Sequence, residues 1–514
     1  MKSRRILSFT VLKLCVAAVV AVGSAAPQAI ADMAPAQQTV QQTDRLIVKY
    51  KDSIPAGKEA AKVAPISDTR QAMIDRSGQQ FGVRLQVLHS IATGAHVFKL
   101  DRKMPLDQVR ALAADLMARD PQVEYAEPDR IMKALFIPND PLFDEQWHYF
   151  EPIGGLDLPA AWDTSTGDGI NVAVVDTGYR PHVDLAGQIL QGYDFISDPF
   201  MANDGGGRDS DATDPGDWTL AGQCGPGAPA QDQNSSWHGT HVTGTIAALT
   251  NNSIGVAGVA FDAKIVPVRV LGRCGGYTSD IADGIIWASG GTVSGVPANA
   301  NTAQVINMSL GGSGPCDSTT QNAINSALSR STIVVVAAGN SNADASNTTP
   351  ASCAGVITVG ATNRSGSKAS YSNFGVMVAL AAPGGDSGTG EGVLSTFNTG
   401  LTTPGADTYA FDIGTSMATP HVSGTVALML SVNPYLNPAE VASLLKSSAR
   451  PFPGTCYQCG AGIVDAAAAV AAVTSTLPPT RNEVEPNNSM ATANSVTASG
   501  TVVYGTRPPP SPGP

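Results

Sequence analysis

The sequence predicts an α/β fold over residues 135–475, built in three layers around a mainly parallel central sheet and preceded by a small α+β unit. Three observations predict it. Short, strongly apolar runs at 170–175, 264–270, 303–307, 332–337 and 356–359 alternate with helical segments. That is the pattern of strands buried on both faces of a parallel sheet. Hydrophobic residues make up 43% of the chain and charged residues 14%, which suits a large packed core and not a solvated, disordered chain. The texture also changes at a junction near residues 133–135, before which a separate set of strands and a helix is laid out.

Taken in order, residues 1–31 have the layout of a signal peptide. Lys2, Arg4 and Arg5 form a basic start, residues 14–22 an apolar stretch, and Ala29-Ile30-Ala31 a small-residue cleavage site. The stretch is shorter than the roughly 20 residues of a spanning helix, so export without stable membrane insertion is expected. Residues 32–134 follow, with a Gln-rich opening and an α+β core at about 45–131. Strands are predicted at 46–50, 96–100 and 123–125. Between Pro105 and Asp120, Leu106, Val109, Leu112 and Leu116 recur at helical spacing. Residues 135–475 form the α/β domain. Residues 476–514 open on the linker-like Leu477-Pro478-Pro479 and are too few for a core of their own.

Charge narrows the partners. The net charge is −12, and after residue 134 acidic side chains outnumber basic ones by more than two to one. No basic stripe could neutralise phosphates, so nucleic acid is excluded as a partner and divalent cations are favoured. Cys15 lies in the signal segment. The six others, Cys224, Cys274, Cys316, Cys353, Cys456 and Cys459, are an even set in an exported chain, which points to disulfides. Fifteen connectivities are open. Pairing in chain order, 224–274, 316–353 and 456–459, is the favoured expectation. A redox or zinc reading of Cys456-Tyr457-Gln458-Cys459 lacks a strand–helix context and a second ligand pair.

Three strings carry chemistry. Asn171-Val172-Ala173-Val174-Val175-Asp176-Thr177-Gly178 ends a buried strand in a carboxylate, where parallel sheets present functional side chains. His238-Gly239-Thr240-His241-Val242-Thr243-Gly244 opens a helix of small residues, with His238 suited to general-base work and His241 one turn inward as a structural histidine. Gly414-Thr415-Ser416-Met417-Ala418-Thr419-Pro420-His421 places Ser416 at a helix start, where backbone N–H groups favour a developing oxyanion. His421 reads as structural. The string lacks the second glycine of a nucleophile elbow, which argues against an esterase of the α/β-hydrolase type.

Together these blocks, in the order Asp, His, Ser, resemble the subtilisin (subtilase) family over about 135–475. The resemblance implies a subtilisin-like fold and a secreted serine endopeptidase that works through an acyl-enzyme. Asp176, His238 and Ser416 would form its triad. It also implies that Asn340, after the run Ile333-Val334-Val335-Val336-Ala337, donates to the oxyanion. Ser309, Leu310 and Gly311 would pair with extended substrate, reading backbone and giving broad specificity. Residues from about 45 to 131 resemble the family's inhibitory propeptide, which would template folding, block the cleft, and leave after cleavage near Ala134. Residues 482–488 resemble the opening of a pre-peptidase C-terminal domain, here a truncated remnant.

A likeness to thermitase-like subtilases implies Ca²⁺ held by Asp140, Asp184 and Asn252 with the carbonyls of Leu249, Ile254 and Val256. A second acidic loop, from Asp204 to Asp217, would use Asp209, Asp211 and Asp214 if it takes a cation. Protein and peptide substrates are the expected partners, and the enzyme is expected to act as a monomer. A catalytically silent subtilase-fold binding module is the alternative.

Overall fold

The computed structural model describes residues 42–51, 66–131, 136–388, 390–454, 456–476, 480–482 and 502–504. The predicted signal segment with Cys15, the junction at 132–135 with Ala134, and most of the C-terminal extension lie outside the described residues. The chain divides into two compact units, residues 1–132 and 133–514.

In the first unit, β1 (Gln42–Tyr50), α1 (Asp68–Phe81), β2 (Leu85–Ser90), β3 (His96–Pro105), α2 (Leu106–Arg119) and β4 (Val123–Pro128) follow in sequence. The strands form an antiparallel sheet in the order β2-β3-β1-β4. The helical spacing read from the sequence is that of α2, which buries Val109, Leu112, Ala113 and Leu116. They pack with Leu46, Val48, Phe98 and Leu100 of the sheet. Helix α1 and strand β2 were not anticipated. Of the α1 residues only Ile74, Ser77 and Gly78 are buried, so its apolar face is too thin to show as a period. Its ends are nevertheless well signalled: Ser67 caps Arg70 N–H, and Gly82 closes the helix in the left-handed region at φ 65°.

The second unit opens with two short helices, α3 (Trp147–Phe150) and α4 (Leu158–Trp162). Next come β5 (Asn171–Asp176), β6 (Tyr193–Asp194), α5 (Pro199–Ala202), α6 (His238–Ala247), β7 (Lys264–Arg269) and α7 (Thr278–Ala288). Strands β8 (Val305–Met308) and β9 (Gly312–Ser313), helix α8 (Ser318–Leu328), and strands β10 (Ile333–Ala337), β11 (Thr348–Thr349), β12 (Ile357–Thr362) and β13 (Leu380–Pro383) continue it. The hairpin β14 (Val393–Asn398) and β15 (Asp407–Asp412) leads into α9 (Thr415–Val432), then α10 (Pro438–Ser448) and α11 (Ala466–Thr476). Two short strands, β16 (Thr480–Asn482) and β17 (Val502–Tyr504), pair in parallel.

Seven strands form the central sheet in the order β13-β12-β10-β8-β5-β7-β6, and every pairing in it is parallel. Along β5, Val172 and Val174 join one core, with residues of α6 and α9. Ala173 and Val175 join the other, with residues of α7 and α8. Val305 against Ile306, and Val335 against Val334, divide the same way. Both faces are buried, so no polar alternation survives and the strands read as continuous apolar runs. This is the three-layer α/β architecture the sequence predicts. Two strands of the sheet escaped notice: β6 is two residues long, and β13, Leu380-Ala381-Ala382-Pro383, lacks β-branched residues.

The six described cysteines form the three disulfides expected from chain order, 224–274, 316–353 and 456–459. Among the described residues no helix is long and apolar enough to cross a membrane.

Candidate active site

Strand β5 lies between β7 and β8; within the sheet the chain passes from β5 to β6 on one side and from β8 to β10 on the other, so the order reverses between the carboxyl ends of β5 and β8. Crevices in open parallel sheets form at such a point. Asp176 is the last residue of β5 and is fully buried. Its carboxylate oxygen Oδ1 accepts from Thr177 N–H and from His238 Nδ1, both at 2.8 Å, while Oδ2 has no hydrogen-bond partner. His238 is the first residue of α6, and its side chain keeps 21% of its surface. Thr177 holds the two elements together, because its hydroxyl accepts Gly239 N–H at 3.0 Å. Small residues permit the approach: a Cβ at Gly239 would lie 2.1 Å from the Gly178 carbonyl oxygen.

Burial works against a charge on the His238 ring. The Asp176 carboxylate, with Asp412 and Asp217 adding to it, outweighs burial and pushes the pKa up to about 9. His241 and His421 sit deeper. His241 Nε2 faces the carbonyls of Val393 and Ala410 at 3.1 Å, while its Nδ1 has no partner. His421 Nδ1 lies 2.7 Å from the Met417 carbonyl, and its Nε2 lies 2.8 Å from Nδ1 of His148. Burial lowers the pKa of all three. His148, which the sequence did not single out, completes a neutral aromatic layer with Tyr149 beneath the helices.

Ser416 is the second residue of α9. Its hydroxyl donates to the Ser309 carbonyl at 3.1 Å, and among the described residues no hydrogen bond joins it to His238. Asn340 follows β10. Its Oδ1 accepts from Thr415 N–H at 2.9 Å and from the Thr415 hydroxyl at 2.8 Å, which leaves Nδ2 to face away from Thr415. Gly414 shows what Nδ2 faces. A Cβ there would lie 3.5 Å from Asn340 Nδ2 and 3.6 Å from Ser416 N, so both donors border one small space kept open by the missing side chain. Asn373 braces the Asn340 loop, accepting from Ser341 and Ala343 N–H and donating to the Ala338 carbonyl. Thr415 and Asn373 were missed. The Gly-Thr-Ser string contains Thr415, but Asn373 has no local signal.

Ser309, Leu310 and Gly311 follow the end of β8, with Ser309 buried and Gly311 exposed. The next residues, Gly312 and Ser313, already pair with Thr349 and Thr348.

Asp140 and Asp184 are both buried. Asp140 accepts from Asn251 and Asn252 N–H. Asp184 accepts from Val256 N–H and the Asn252 side chain. Among the described residues neither has a cationic partner. Burial raises both pKa values, Asp184 to about 6 with the Asp140 charge contributing. The carbonyls of Leu249, Ile254 and Val256 accept no hydrogen bond from any described residue.

The second acidic loop is arranged differently from what its spacing suggests. Asp209 and Asp211 are exposed and accept N–H groups of their own turn, whereas Asp214 is buried with one oxygen unpartnered. Among the described residues no three acidic, histidine or cysteine side chains gather as a metal-holding group, so Asp209, Asp211 and Asp214 do not converge. Asp204 instead joins Asp194 on the buried Arg269.

Comparison with known proteins places the chain. Residues 167–483 match the model of the Subtilase family. The chain is 52% identical over 437 residues to an extracellular protease of Xanthomonas campestris, covering 84% of this chain and 73% of that protein. It is 43% identical over 475 residues to an extracellular basic protease of Dichelobacter nodosus, covering 90% and 76%. A solved protease structure from Pseudoalteromonas arctica superimposes with a TM-score of 0.64 at 62% identity, covering 65% of this chain and 99% of that one.

Proposed function

The chain belongs to the subtilase family, and on that premise we propose that Ser416, His238 and Asp176 perform its peptide hydrolysis, with Asn340 stabilising the oxyanion. The protein is a secreted serine endopeptidase; its relatives are named extracellular proteases. Those names lend no support to a catalytically silent module.

The single observation behind these roles is the space bordered by Asn340 Nδ2 and Ser416 N beside Gly414. Two donors bordering one small volume suit the oxygen of a tetrahedral intermediate. The Ser416 hydroxyl turns from the Ser309 carbonyl to His238, which takes its proton as the oxygen attacks the scissile carbonyl. The C–N bond then breaks as His238 returns the proton to the leaving amine, and water repeats the sequence on the acyl-enzyme. Asp176 holds the ring through Nδ1, so that Nε2 faces the nucleophile, and favours the imidazolium that forms. The segment Ser309-Leu310-Gly311 receives extended substrate by strand pairing, which reads backbone and gives broad specificity.

Calcium fits the cage at Asp140 and Asp184. Two buried carboxylates without a protein cation, an adjacent Asn252 and three free carbonyls form an all-oxygen donor set for a hard cation. Asp140, Asp184, Asn252 and the carbonyls of Leu249, Ile254 and Val256 would hold the ion, which would neutralise the two carboxylates. The first unit acts as propeptide, inhibiting and templating the second until cleavage near Ala134, and the mature enzyme works as a monomer.

Ser416→Ala should abolish casein hydrolysis while the chain still folds. Retention of hydrolysis by that variant would sink the assignment.

A further inference from the structure

Helix α9 contains Pro420 in its second turn. Proline has no N–H, so the carbonyl four residues earlier loses its helical partner. That carbonyl belongs to Ser416. It accepts instead from the hydroxyl of Ser309, at 2.8 Å, across from the sheet. Ser309 Oγ in turn accepts from Asn307 Nδ2 at 3.0 Å, and Asn307 Oδ1 accepts from the Ser423 hydroxyl at 2.8 Å. Asn307, Ser309 and Ser423 are all buried. The relay therefore leaves α9 at Ser423, crosses to β8, and returns to α9 at Ser416, bridging the proline. The Ser416 hydroxyl closes a second link to the Ser309 backbone at 3.1 Å.

We propose that the Ser309 hydroxyl, held by Asn307 and Ser423, positions the nucleophile by replacing the hydrogen bond that Pro420 cannot give. The inference rests on the reading of Ser416 as nucleophile. Ser309 Oγ and Asn307 touch no reacting atom, so they are positioning residues, separate from any backbone pairing with substrate. A first helical turn held only along its own axis is free to fray or rotate. Freeing its carbonyl and pinning it to β8 fixes the turn against the strand that leads to Ser309-Leu310-Gly311. A misplacement of about 1 Å at a reacting atom can cost on the order of a hundredfold in rate.

The test uses the full chain expressed with its N-terminal unit and a proline-to-alanine rescue. Ser309→Ala should lower kcat about ten- to a hundredfold with KM nearly unchanged, and slow the labelling of Ser416 by a fluorophosphonate equally. Ser309→Thr, which keeps the hydroxyl, should lose clearly less than Ser309→Ala. Pro420→Ala supplies an N–H for the same carbonyl, so the double variant Ser309→Ala/Pro420→Ala should regain most of the loss. Should Ser309→Ala fail to fold, Ser423→Ala releases only the far end of the relay and should show a smaller loss, again recovered by Pro420→Ala. Equal losses with proline or alanine at 420, or wild-type labelling rates in Ser309→Ala, would overturn the proposal. A wild-type enzyme that labels at a residue other than Ser416 would instead overturn the nucleophile assignment.

Discussion

Two buried acidic sites in this molecule solve the same electrostatic problem differently. Asp176 is fully buried and has His238 at 2.8 Å to share its charge. Asp140 and Asp184 are buried just as deeply and have only N–H dipoles. A buried charge that lacks a partner is expensive, so a site either carries its own counter-ion or takes one from solution. The difference teaches what each site can do. A carboxylate paired with a titratable ring governs a proton. A pair of carboxylates open to an external cation governs stability. The raised pKa of His238 records the first arrangement, and that of Asp184 the second.

The comparison breaks most visibly at Asp176. Asp176→Asn keeps the shape and removes the charge, so kcat should fall about 10⁴-fold. The acid limb of kcat/KM should also drop from near 9 toward the ordinary histidine value of 6.5. The sign follows from the need for a neutral ring: activity in wild type should rise with pH through about 9. The same pair should stabilise the fold most fully below pH 6.5, and that contribution should fade as pH climbs through about 9. An unmoved limb in Asp176→Asn would mean that Asp176 does not set the histidine's charge.

Chelation attacks the other site. A cation held at a few hundred times its Kd stabilises by about 3 kcal/mol, so EDTA should lower the melting temperature by several degrees. Asp184→Asn should melt at one temperature with or without EDTA. A wild-type melt insensitive to EDTA would leave the cage without a role. The smallest effect should come from Asp412, whose charge reaches His238 from the end of β15. Asp412→Asn should lower the acid limb by a few tenths of a pH unit, under about 1 kcal/mol, with kcat at high pH preserved. An upward shift would contradict the cause assigned to the raised histidine.

Reading the same molecule from its sequence succeeds where the signal is local. The string around Asp176 announces a strand end, and the strings around His238 and Ser416 announce helix starts; the structure has all three. The run before Asn340 is β10. Failures cluster where elements are short or their burial is not periodic, as with β6, β13 and α1. The acidic loop at 204–217 shows what spacing leaves open. Closely spaced carboxylates look like one cluster, yet Asp209 and Asp211 turn outward, Asp214 turns inward, and Asp204 is taken by Arg269.

By itself, then, the sequence determined the layered fold, because strands buried on both faces must be apolar throughout, and it determined which residue types end those strands and begin those helices. Only the tertiary structure decided which distant groups meet: Thr415 with Asn340, Ser309 with the carbonyl that Pro420 frees, and Asp140 and Asp184 with Asn252. The physical reason is that burial and periodicity are written along the chain. Hydrogen bonds and charge compensation depend on register between strands and helices far apart in it, and neither is encoded at any single stretch.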